Sequence, residues 1–224
     1  MATGDTDGTM IVRRALAGVL VAALAAGCQD NITTEFPEGL EPLEDNDAPP
    51  ISGGAALEHL VTVRGEDGHK WVHGRGVLRA TPGTIWALAK DGELMASICN
   101  TDRHAFQVGI EPQYEYGFEI HYEVDEIVTV AWDERWRYGT ITGTPAEPSR
   151  AMIRYQKVFG SDFINVLEGS IQLLGRTDPA QTELQFVEHL DAFGGSADQM
   201  EASMRRRFAS LAAAAHGDPA PGCP

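Results

Sequence analysis

The sequence predicts an α+β fold in which a curved antiparallel sheet wraps one long C-terminal helix. Three observations predict it. Residues 196–215 carry Met200, Met204, Phe208 and Leu211 in a single stripe at helical spacing. From about residue 104 to residue 192 the chain runs through short segments that alternate apolar and polar side chains, the pattern of strands with one wet face. A sheet that is apolar on one side must cover that side, and the terminal helix is the element available to do so.

The amino terminus comes first. Residues 10–28 read MIVRRALAGVLVAALAAGC: two arginines, a short apolar run, small residues and a cysteine, the layout of a secretory signal. The apolar part is shorter than the roughly 20 residues a helix needs to span a bilayer. Leu24-Ala25-Ala26-Gly27-Cys28 resembles the lipobox of bacterial lipoproteins, with the leucine one position earlier than usual. That resemblance implies cleavage before Cys28 and a diacylglycerol on its thiol. Gln29 stands where inner-membrane lipoproteins carry aspartate, which points to the outer membrane of a bacterial envelope.

Residues 29–56 read as a disordered acidic tether. Glu35, Glu38, Glu41, Glu44, Asp45 and Asp47 lie there without a Lys or Arg, and few side chains offset the entropy of ordering. Such a leash spans on the order of 30 Å. The domain proper is expected over 57–216, with a flexible tail over 217–224.

Residues 57–64 and 69–80 flank Gly-Glu-Asp-Gly and predict a hairpin, with a short helix over 56–61 as the rival. Thr81 then suits an N-cap and Pro82 a first helical position. Asp91-Gly92 breaks that helix, and residues 93–99 predict a second short one. Strands follow. Phe118, Ile120, Tyr122 and Val124 share a face opposite Glu119, His121 and Glu123. Val128, Val130, Trp132 and Trp136 continue the pattern, and residues 152–158 form a strand without a clean polar face. Leu167, Ile171 and Leu173 share a side, as do Leu184, Phe186 and Leu190. For the final helix, Ser196 with Gln199 makes a capping box, while His216, Gly217 and Pro219 make a stop.

This order of elements resembles the helix-grip fold. The phrases RATPGTIWALAKDGEL, YQKVFGSDFINVLEGSIQLL, TELQFVEHLDA and MEASMRRRFASLAAAA are similar to the START-like, polyketide cyclase/dehydrase (SRPBCC) superfamily, over about residues 71–215. The resemblance implies an elongated cavity between sheet and helix that takes lipids, sterols, polyketides and other apolar molecules. Fold does not by itself set function.

Tyr122, Trp132, Trp136, Phe186, Met200, Met204 and Phe208 face the interior in this phasing. They are the expected cavity lining, or else simply packed core. Glu188 alternates with Phe186 and Leu190, so an inward carboxyl there is the one acid/base candidate, unless a strand end turns it to solvent. His189 then lies on the opposite face. His69 and His73 share a strand face without an evident carboxylate or cysteine partner, so no metal and no cofactor are expected. The net charge of -16 argues against nucleic acid or anionic lipid as a partner through a basic surface. The membrane is reached through Cys28 alone. No CxxC, GxSxG, HExxH or P-loop is present. With Cys28 lipidated, Cys99 and Cys223 remain. Either they pair and pin the tail to the second short helix, or Cys99 is a buried thiol and the tail is free. The expected function is therefore binding or carriage of an apolar small molecule. A cyclase-type enzyme using a cavity carboxyl is one alternative, and an interaction domain with a filled core is another.

Overall fold

A computed structural model describes residues 39–51, 57–96, 98–125 and 127–223. The expected signal over 1–28 lies outside the described residues, as do 29–38 and 52–56 of the expected tether.

The sheet begins with a hairpin, β1 (Leu60–Asp67) and β2 (His69–Leu78). Gly68 makes the reversal at φ +78°, a left-handed backbone that costs glycine no Cβ clash. Two short helices follow, α1 (Pro82–Leu88) and α2 (Gly92–Met95). Thr81 caps α1 by accepting from Thr84 N–H at 3.2 Å, and Pro82 occupies the first turn, where no donor is needed. Asp91 caps α2, and a 3-10 turn over Ile98–Asn100 completes what the sequence suggested as one helix.

Six further strands are β3 (Arg103–Val108), β4 (Tyr116–Asp125), β5 (Thr129–Gly143), β6 (Pro148–Gly160), β7 (Ile164–Gly175) and β8 (Thr182–Ala192). The spatial order is β1-β2-β8-β7-β6-β5-β4-β3, antiparallel throughout. β8 thus pairs with β2 and joins the end of the chain to its start. The sheet stays open, with β1 and β3 as edges.

The last element, α3 (Ala197–His216), lies on the inner face. Ser196 and Gln199 form the capping box, and Gly217 at φ +76° ends the helix. Met200, Met204, Phe208 and Leu211 are all buried. β2 is thinned by glycine where the helix crosses it. A Cβ on Gly74 would lie 2.5 Å from Met204 Sδ, and one on Gly76 would lie 2.5 Å from the Phe208 ring. This is the helix-grip arrangement: a strand, two short helices, an antiparallel run and a closing helix.

Two expectations need correction. Residues 39–51 are not free tether; they lie as a strap on the outer face of the sheet. Leu43 N–H donates to Ser170 Oγ at 3.0 Å, the Asn46 side chain donates to the carbonyls of Gly74 and Phe186, and Arg154 donates to the carbonyl of Glu41. Ala48 is buried, and Leu40 packs where Gly139 has no side chain. The strap holds because polar groups of the sheet meet its backbone, contacts that charge composition does not register. It also explains β6, whose residues 151–157 are buried on both faces. The tail is not free either, since Cys223 is bonded to Cys99. Among the described residues no helix is long and apolar enough to cross a membrane.

Candidate functional site

One row of the sheet organises the interior. Phe118 on β4, Trp136 on β5, Tyr155 on β6, Gly169 on β7 and Glu188 on β8 are successive cross-strand neighbours. Trp136 stacks on Phe118 with centroids 5.5 Å apart, and Tyr155 stacks on Trp136 at 4.2 Å. A Cβ on Gly169 would collide with the Tyr155 ring. The missing side chain lets that ring cross β7, and its hydroxyl donates to Glu188 Oε2 at 2.5 Å. Glu188 therefore points inward and is 5% exposed, as the alternation of β8 suggested.

Arg207 of α3 closes the row from above. Its Nη1 lies 3.3 Å from Glu188 Oε2 and donates to the Tyr155 hydroxyl at 3.1 Å, while Nε donates to the carbonyl of Met95 at 2.7 Å. The guanidinium also lies over the Trp136 and Tyr155 rings, at 5.3 and 5.1 Å. Burial disfavours its charge, but Tyr155 and Glu188 outweigh that and raise its pKa further. Burial, and then the Glu188 charge, push the Tyr155 phenol well above its ordinary value.

A second carboxyl sits beside this pair. Glu134 on β5 lies between Trp132 and Trp136 on the same inner face. It accepts from Trp132 Nε1 at 3.1 Å, from Trp136 Nε1 at 3.3 Å and from the Tyr122 hydroxyl at 3.5 Å. Its cross-strand neighbour Lys157 turns its ammonium onto the carbonyls of Ser161 and Ile164. Burial raises the Glu134 pKa to about 7. The indole donors and Arg207 oppose the shift, and Glu188 adds to it. Near neutral pH this carboxyl can hold or release a proton within an aromatic cage.

The seven residues expected to line a cavity divide into two sets. Tyr122, Trp132 and Trp136 surround Glu134, with Tyr122 stacked on Trp132 at 4.9 Å. Phe186, Met200, Met204 and Phe208 are buried in the core beneath α3, where Phe186 meets Phe208 edge to face at 6.5 Å. Sequence reasoning missed Glu134 and Arg207. Both had a signal, since Glu134 continues the alternation of Trp132 and Trp136, and Arg207 falls three residues after Met204 in the buried stripe.

A groove of about 390 Å³ shares Arg207 with this cluster, but none of the seven residues expected to line a cavity borders it. Its walls come from α2, the 3-10 turn and α3, including Leu94, Ile98, Ala202, Ser210 and Arg207, and the tail from Ala220 to Cys223 borders it. Arg207 thus lines the groove and also reaches the inner carboxyls. The Cys99–Cys223 bond fixes that border.

On the outer face, His189 and His73 meet Glu44 of the strap. Among the described residues, Glu44, His73 and His189 form the one group of histidines and carboxylates whose donor atoms converge closely enough to hold a metal ion. His69 lies with its ring tilted against that of His189, centroids 4.3 Å apart, rather than joining the group. His121 bonds Asp133 at 2.6 Å on the exposed part of that face, and this contact raises its pKa.

No family model matches the chain, and no curated protein matches it. Solved structures of similar shape exist at low identity. The human StarD13 lipid transfer and protein localization domain is 8% identical with a TM-score of 0.48, over 73% of this chain and 88% of that one. The Zhui aromatase/cyclase from Streptomyces sp. R1128 is 15% identical with a TM-score of 0.41, over 71% and 93%. A START superfamily protein from Mycobacterium smegmatis is 12% identical with a TM-score of 0.41, over 66% and 94%.

Proposed function

We propose that the chain is a lipid-anchored protein of the bacterial outer membrane, held at Cys28, that binds an apolar small molecule bearing a hydroxyl or carbonyl. The anchor rests on the resemblance of residues 24–28 to a lipobox; the observation that supports binding is the ionic cluster of Arg207, Glu188 and Glu134 inside an aromatic interior, with Arg207 also on the wall of the groove. A core selected only for stability would do as well with apolar side chains there, because buried ion pairs are often replaced at no loss. The groove volume falls at the low end of the roughly 300–1,000 Å³ of small-molecule sites. The apolar body of the ligand would lie along Leu94, Ile98 and Ala202. A neutral oxygen suits the polar end better than a carboxylate, because Glu188 and Glu134 already answer the Arg207 charge. A sterol or a polyketide-like molecule meets both demands.

The test is energy transfer from tryptophan to dehydroergosterol, together with native mass spectrometry of the protein extracted from membranes. Saturable one-to-one binding, weakened by Ala202→Trp in the groove, is expected. A protein that carries no apolar molecule and binds neither sterols nor aromatic polyketides would instead be an interaction domain with a filled core.

One observation favours a second reading, an enzyme of the cyclase or dehydrase kind. Glu134, raised to about 7, is the group suited to accept and return a proton. Glu188 is engaged by Tyr155 and Arg207 instead. Turnover of a polyketide mimic that titrates near pH 7 and disappears in Glu134→Gln would establish this reading.

A further inference from the structure

We propose that Glu44, His73 and His189 form a binding site for a divalent transition-metal ion of the zinc class, which fastens the strap to the outer face of the sheet. His73 on β2 and His189 on β8 reach the site from adjacent strands, and Glu44 descends on it from the strap. The two Nε2 atoms converge on one oxygen, Glu44 Oε1, at 2.7 and 3.0 Å. All three donor atoms lie within 4.8 Å of one another. An ion about 2 Å from each ligand holds them roughly 3.3 Å apart, so filling the site draws Glu44 back by a few tenths of an ångström and brings the two imidazole nitrogens, within 4.8 Å of each other, onto the ion. Glu44 is exposed on the strap and free to make that adjustment, while both imidazoles are buried.

The far sides of the imidazoles support the same assignment. His189 Nδ1 faces Glu168 at 3.6 Å, and His73 Nδ1 faces the Asp47 carboxylate at 3.8 Å. A carboxylate behind each histidine is the arrangement that orients metal-bound imidazoles and sets their tautomer. At present the Asp47 amide donates to His73 Nδ1 at 2.9 Å, which keeps the His73 proton on Nε2. Ion binding moves that proton to Nδ1, whose partner becomes the Asp47 carboxylate. The strap must therefore shift at Asp47 when the site fills. Two imidazoles and one carboxylate suit Zn²⁺ rather than Mg²⁺ or Ca²⁺, which prefer oxygen ligands throughout. The side of Glu44 open to solvent leaves room for a water as fourth ligand.

The test uses the full chain, stripped with EDTA and titrated with ZnCl₂ by calorimetry, with CoCl₂ as a spectroscopic probe. One ion per chain is expected, with visible Co²⁺ bands of a four-coordinate nitrogen–oxygen site. Glu44→Gln, on an exposed residue, leaves the fold intact and should weaken binding by more than the roughly 10–100-fold lost with an outer partner. Glu168→Gln should fall within that 10–100-fold range. Zinc should raise the melting temperature of the parent chain but not of Glu44→Gln. Folded protein that binds no zinc overturns the proposal. So does zinc binding that is unchanged in Glu44→Gln, which would mean that the pocket takes up protons only and that zinc goes to other carboxylates.

Discussion

On the inner face of the sheet, Arg207, Tyr155 and Glu188 bury their polar atoms against one another, and Glu134 buries its carboxyl against the Trp132 and Trp136 indoles. On the outer face, Arg154 and Gln156 are equally buried beneath the strap. There, among the described residues, Arg154 Nε and Nη2 and both amide atoms of Gln156 have no hydrogen-bond partner. The two faces bury charge and polarity to the same depth with different results. Inside, the elements that meet are strands and a capped helix, whose side chains sit at fixed register. Outside, the cover is a strap without secondary structure of its own, which excludes water more completely than it replaces it. The inner cluster is therefore held at fixed positions, and the outer contact is the one able to rearrange.

The contrast can be broken most forcefully at Arg207. Arg207→Met leaves two buried carboxylates without their guanidinium and should cost about 3–5 kcal/mol in urea unfolding at pH 7. Adding Glu188→Leu and Glu134→Gln to that variant should restore much of the loss, because the interior is then apolar and paired.

A pH series sharpens the same point. The Glu134 carboxyl titrates at about 7 in the folded chain, against an ordinary value of 4.5. A raised acid favours folding in its protonated form, so its contribution is complete below pH 4.5 and is lost as pH rises through 7. The difference in stability between the parent and Glu134→Gln should change by on the order of 3 kcal/mol across that window. Taking the difference between the two proteins cancels His121 and the other groups.

A smaller effect is expected where the helix touches the sheet. Gly76→Ala places a Cβ against the Phe208 ring and should cost about 1–3 kcal/mol in thermal unfolding. The smallest effect belongs to the outer face and has the opposite sign. Gln156→Met replaces an unpartnered buried amide with an apolar group of similar shape, and should be neutral or stabilise by up to about 1 kcal/mol. A large loss there would show that the strap satisfies this amide after all.

Much of the inner face was legible because its signals are local. The stripe from Met200 to Leu211, the Ser196–Gln199 box and the Gly217 stop describe α3 without reference to any other segment. The alternation around Phe186 turned Glu188 inward. The same rule, applied between Trp132 and Trp136, would have found Glu134. Arg207 escaped because it follows Arg205 and Arg206 and shares their charge, although helical phase separates it from them. On the outer face the alternation placed His121 and His189, but the strap that covers it was not legible. Glu44 meets His189 across 145 residues and Leu43 meets Ser170 across 127, and no local pattern encodes such pairings. The acidity of residues 29–56 and their few apolar side chains suggested a disordered tether. On the sheet, though, the strap finds His73, His189, Arg75 and Arg154. The bond between Cys99 and Cys223, 124 residues apart, likewise depends on where the tail folds back.

The most direct test of the inner cluster is a carbon-13 NMR titration of the Glu134 side-chain carboxyl in the folded chain. A midpoint near 7 is predicted, set by burial among Trp132, Trp136 and Tyr122 beside Arg207 and Glu188. A midpoint in the ordinary range near 4.5 would mean that water reaches this carboxyl, and the enclosed ionic cluster beneath α3 would not exist.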